Sequence, residues 1–124
     1  MSTEITWQFQ LRLGNGGLVD SYNTSGLAAT QNVALMMRNV QNIGTAVSGA
    51  ALELGSVVTP GVAVFVNLDA TNYVEIGENV SGTFYPFVKL LLGESWGPMR
   101  LGMAAPYARA NTSVVDLFYI IYND

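Results

Sequence analysis

The chain has 124 residues, half of them apolar, only 11% charged, and a net charge of −4. It contains no histidine and no cysteine, which excludes Ser-His-Asp and Cys-His catalysis, disulfides and cysteine zinc sites. Its five cations (Arg12, Arg38, Lys89, Arg100 and Arg109) are scattered along the chain, so the clustered positive charge that direct nucleic-acid binding needs is missing.

Met1 to Thr6 is polar and carries Glu4, unlike a secretory leader. No apolar run reaches the roughly 18 residues of a membrane helix. Synthesis in the cytoplasm, without a membrane partner, is the expectation. Residues 5 to 13 then alternate: Ile5, Trp7, Phe9, Leu11 and Leu13 share one face, and Thr6, Gln8, Gln10 and Arg12 the other. A period of two predicts a strand with one buried face. Gly14-Asn15-Gly16-Gly17 supplies hairpin-turn residues, Leu18 to Tyr22 returns as a strand, and Asn23-Thr24-Ser25-Gly26 reads as a further turn.

Residues 27 to 54 carry two patterns. Val33, Met36, Met37, Val40, Ile43 and Val47 fit helical spacing, while Val33, Leu35 and Met37 fit strand alternation. Asn32, Asn39, Asn42, Thr45, Ser48, Gly44 and Gly49 are poor helix formers. The balance favours strands with irregular connections over one amphipathic helix.

From Thr59-Pro60-Gly61 onward the rhythm is regular. Strands are expected over 62–68, 73–77, 83–92, 95–101, 107–110 and 114–122, separated by Asp69-Ala70-Thr71-Asn72, the 78–82 loop, Gly93-Glu94, the 102–106 loop and Asn111-Thr112-Ser113. Pro86 suits an edge or a bulge. Strands returning roughly every 8 to 12 residues indicate a sandwich, jelly roll or small barrel. The fold expected is all-β: an antiparallel β-sandwich of jelly-roll type, one domain over residues 1–124, with the last strand pairing near the N-terminal one. Its expected core is Trp7, Phe9, Leu11, Val64, Val66, Val74, Ile76, Phe87, Leu101, Val115, Leu117 and Tyr119.

The remaining chemical candidates read as structure. Lys89, the only lysine, sits in an apolar strand where alternation points it outward. Glu75 with Glu78, and Asp69 with Glu75, are the available carboxylate pairs for acid–base chemistry, but they stand where Asp and Glu serve turns and solubility. Asp69 to Asn72 offers oxygens to a hard cation but lacks the EF-hand pattern. The 14–18 segment is not a phosphate loop. Asn23-Thr24-Ser25, Asn79-Val80-Ser81 and Asn111-Thr112-Ser113 are glycosylation triplets explained by turn composition. No catalytic, cofactor or metal residue is assigned. Among the many aromatics, Trp96 and Tyr85 are the best candidates for exposed stacking on a glycan. Both faces of the last strand are apolar: Val114, Phe118, Ile120 and Tyr122 lie opposite Val115, Leu117 and Tyr119. The first set, with Trp96 and Tyr85, forms the candidate interface.

Residues 59 to 122 resemble a recurrent type of small bacteriophage virion protein. The resembling segments are Thr59-Pro60-Gly61, Val66 to Gly77, Gly82-Thr83-Phe84-Tyr85-Pro86-Phe87, Leu92-Gly93-Glu94, Ala108 to Thr112 and Tyr119-Ile120-Ile121-Tyr122. Leu92-Gly93-Glu94 departs from the Pro-Gly-Glu frequent in that type. The resemblance implies a β-sandwich virion component such as a capsid decoration (cement) protein. Its partners would be copies of itself, most simply in a trimer, and the phage major capsid protein. The competing class is a glycan- or receptor-binding module of a tail or fibre.

Overall fold

The computed structural model describes residues 4–124; the part of the N-terminal reading that rests on Met1, Ser2 and Thr3 lies outside the described residues. Among those residues there are ten strands and no helix: β1 (Ile5–Asn15), β2 (Leu18–Ala29), β3 (Met36–Ile43), β4 (Ala50–Ala51), β5 (Pro60–Asn67), β6 (Val74–Val80), β7 (Thr83–Leu90), β8 (Ser95–Arg100), β9 (Pro106–Ala110) and β10 (Val115–Asn123). Residues 27–54 thus hold strand and irregular connections, where the poor helix formers weigh most. The chain divides into two compact units, one ending at Asn32 and the other Val33–Asp124.

The first unit is a two-stranded antiparallel ribbon. Asn15 pairs with Leu18, so the tight turn is Gly16-Gly17, with Gly16 at φ 58°. β2 runs on through Asn23–Gly26, where a turn was expected. The register steps from Trp7↔Leu27 to Phe9↔Thr24, which places one extra residue in β2. Gly26, at φ 74°, takes the left-handed conformation that such a bulge requires. Asn23 therefore pairs within a ladder instead of turning.

The second unit has two four-stranded antiparallel sheets, in orders β3-β10-β5-β8 and β4-β9-β6-β7. The pairs are nested. β3 pairs with β10, β4 with β9, β5 with β8 and β6 with β7, and further ladders join β10 to β5 and β9 to β6. The last strand therefore pairs with β3 and β5, and not with the N-terminal strand.

Both sheets feed one core. Ile43, Ala63, Phe65, Leu117, Tyr119 and Ile121 come from the first, and Val74, Ile76, Leu90, Ala108 and Ala110 from the second. Phe65 is at its centre, its ring stacked 5.7 Å from Trp96 and 6.3 Å from Tyr119. Val74, Ile76, Leu101, Val115, Leu117 and Tyr119 are buried as expected. Val64 and Val66 are half-buried, because β5 turns Ala63, Phe65 and Asn67 inward. Apolar residues at both parities hide that choice in the sequence. Phe87 is exposed while Phe84 is buried. The register slips between Ile76 and Gly77, and a bulge swaps the faces of the residues beyond it. Trp7 is half-buried and Phe9 and Leu11 are exposed, since a lone ribbon has no second layer of its own to bury them.

Polar groups pin the ends of this core. Asn67, fully buried, donates from Nδ2 to the carbonyls of Asn72, Leu90 and Leu91 and accepts from the Asp69 amide. Asp69 in turn accepts from the amides of Asn72 at 2.6 Å and Thr71 at 3.0 Å, and those bonds lower its pKa from 3.8. The Tyr119 hydroxyl lies 2.7 Å from the Glu53 carbonyl and 2.9 Å from Gln41 Oε1 as acceptors, and accepts from Asn39 Nδ2. Burial raises its pKa above 10.0, assisted by the Glu53 charge.

Candidate interaction surface

Residues directly opposite in a ladder share one face of a sheet. Three cross-strand rows follow on the outward face of the first sheet. Val40, Phe118 and Val66 form one row, Arg38, Ile120 and Val64 the next, and Met36 and Tyr122 the third. Met36 and Val40 are 45% and 52% exposed; Phe118, Ile120, Tyr122, Val64 and Val66 are half-buried, shaded by one another. The rim is polar, with Asn42 donating to Asp116 at 3.1 Å and Ser95 beside Val66. Within the field the one charge is Arg38, whose guanidinium lies 5.8 Å from the Phe118 ring centre.

A solvent-facing strand face should alternate to polar residues. On β3 both parities are mixed: the inward one sets Asn39 and Gln41, which serve the Tyr119 hydroxyl, between Met37 and Ile43, and the outward one carries exposed Met36 and Val40 beside Arg38 and Asn42. A contiguous apolar field of this kind is a candidate contact site.

The candidate interface residues separate. Phe118, Ile120 and Tyr122 lie together in this field. Val114 precedes β10 and is 52% exposed. Trp96 is on β8, one ring face against Phe65, and lines a cavity of about 240 Å³ with Phe87, Met99, Met103 and Glu78. Tyr85 is half-exposed on β7 and does not line that cavity. Sequence reasoning placed Val64 and Val66 in the core and overlooked Met36, Arg38 and Val40. Locally there was no clear signal, since positions 36, 38, 40 and 42 mix Met36 and Val40 with Arg38 and Asn42, and the odd positions mix Met37 and Ile43 with Asn39 and Gln41.

The ribbon of the first unit has a matching asymmetry. Its rows Trp7–Leu27, Phe9–Thr24, Leu11–Tyr22 and Leu13–Asp20 are mostly apolar, whereas Gln10–Asn23 and Arg12–Ser21 on the other face are polar. Phe9 and Tyr22 meet as a tilted ring pair at 5.9 Å.

The carboxylates considered for chemistry have structural occupations. Glu75 accepts from Arg109 at 2.8 Å, both partly buried, and Asp69 holds its own loop. Glu78 lines the Trp96 cavity. Lys89 points outward, 4.1 Å from the Tyr73 ring centre. Among the described residues no three acidic side chains converge as metal ligands would. Compared with known proteins, the chain matches no family model, no curated protein and no solved structure.

Proposed function

We propose that this chain is a non-enzymatic structural protein of a bacteriophage virion, a capsid decoration (cement) protein that stabilises the head. On this reading it is made in the host cytoplasm, joins copies of itself, most simply as a trimer, and binds the major capsid protein. Its second unit is read as a jelly-roll sandwich, a fold of eight strands in two sheets. Support for that fold is the nesting of four strand pairs in two sheets that share a core. Support for the phage setting is the resemblance over residues 59–122.

The observation that carries the assembly reading is the apolar outward field around Phe118 and Ile120. Covering it releases about 25 cal/mol per Å² of apolar surface, less the cost of association. Repetition on a lattice then multiplies weak contacts. The test adds purified chain to shells lacking decoration. Saturable binding at a copy number set by the capsid lattice, with greater heat resistance of the shell and an oligomer in sedimentation, is expected. A chain that stays monomeric at high concentration and leaves shells bare overturns the reading.

A glycan-binding module is the second reading, and the Trp96 cavity favours it. At about 240 Å³ the cavity is below the roughly 300–1,000 Å³ of ordinary ligand sites. Reproducible glycan-array binding that Trp96→Ala abolishes would establish it over the first.

A further inference from the structure

We infer that the β1–β2 ribbon of one copy lays its apolar face on the outward β3–β10–β5 face of another copy, so that assembly proceeds by arm exchange. This rests on the assembly reading and names its contact.

Both surfaces carry exposed apolar side chains, and their sizes agree. Side-chain rows on one strand face repeat at about 6.8 Å and strands at about 4.8 Å. Four rows on two strands give the ribbon a face of about 27 by 10 Å, some 270 Å². Two rows on three strands and a third on two give the sheet a field of about 20 by 14 Å less one corner, some 250 Å². In a closed ring every chain gives one arm and receives one. Each arm-to-sheet contact thus covers about 250–270 Å² of projected face on either partner, well under the ~800 Å² per partner of a standard interface, so assembly depends on repetition of a weak contact.

The charges are also complementary. The ribbon face carries one carboxylate, Asp20 opposite Leu13. The sheet field carries one guanidinium, Arg38. Neither takes part in an ion pair among the described residues. The polar Gln10–Asn23 and Arg12–Ser21 rows then remain in water. Exchange runs arm to sheet, so it closes as a reciprocal two-fold pair or, where the rotation allows, as a ring such as the trimer.

The chain has no cysteine, so introduced thiols report contacts without background. Chains bearing Phe9→Cys, Leu11→Cys or Leu13→Cys are mixed with separate chains bearing Val40→Cys or Ile120→Cys and joined with a short bis-maleimide. Mixed arm-to-sheet dimers as the main linked product are expected. In parallel, Asp20→Arg and Arg38→Asp should each weaken self-association about tenfold, and a chain carrying both substitutions should restore it. An oligomer that yields only arm–arm or sheet–sheet links, with no charge-swap rescue, overturns arm exchange and leaves the assembly reading standing. A chain that remains monomeric overturns both.

Discussion

The β1–β2 ribbon and the nested sheets of Val33–Asp124 are built from the same alternating grammar, yet they treat their apolar side chains in opposite ways. In the ribbon Leu11 is 60% exposed; in the second unit Leu117 is 0% exposed. Alternation determines which residues share a face. Burial needs a second layer, and the two four-stranded sheets provide one for each other's inward residues. Within its own unit the ribbon has none, which is why its apolar face stays exposed while the inward side of β10 is core.

The sharpest way to break this contrast is to truncate matched residues. Phe65→Ala should cost about 3–5 kcal/mol in urea unfolding, because Phe65 is fully buried between Trp96 and Tyr119. Leu11→Ala, measured on dilute chain, should cost less than about 0.5 kcal/mol. Equal losses would mean that the ribbon is buried in the free molecule, and the comparison would fail.

Glycines give a second pair. A Cβ on Gly77 would run into the Tyr85 carbonyl and the Pro86 Cα, whereas one on Gly14 meets open space. Gly77→Ala should therefore lose about 1–3 kcal/mol and Gly14→Ala almost nothing, by thermal unfolding.

Tyrosines sharpen it further. Tyr119→Phe should cost about 1 kcal/mol, while Tyr22→Phe, at a 57% exposed residue, should be neutral. The pH dependence has a definite sign. With the folded pKa of Tyr119 raised above 10.0, the unfolded chain releases the proton first. The hydroxyl's contribution is thus full below pH 10 and falls as pH rises through the folded value. Alkaline unfolding curves of wild type and Tyr119→Phe should converge.

The smallest effect is local. The Asp69 pKa is lowered by amide donors, so its support is present above pH 3.8 and disappears as pH falls through the folded value. Amide exchange at Thr71 and Asn72 should accelerate there, with the ribbon turn unchanged.

Much of the fold was legible in the residues themselves. Turn chemistry at 14–17 and at 69–72 marked the strand ends, and Val74, Ile76, Val115, Leu117 and Tyr119 read correctly as core. What could not be read has a physical origin. In β5 both parities are apolar, so nothing local distinguishes Phe65 from Val66. At Gly77 a bulge exchanged Phe87 for Phe84 without a change in composition. The contact field escaped notice because it is assembled from three strands far apart in sequence. Val40, Phe118 and Val66 become neighbours only once the ladders are in register.

Nested pairing also dictates an order of events during synthesis. β3 emerges from the ribosome long before β10, the strand that must slot between it and β5. Until then the edges of β3 and β5 that face the missing strand stay unpaired, whereas the β1–β2 ribbon can close at once across its two-residue turn. Closing such distant pairs is slow, and nascent chains with open edges are prone to cross-pairing. Chains made in quantity would depend on chaperones at this step.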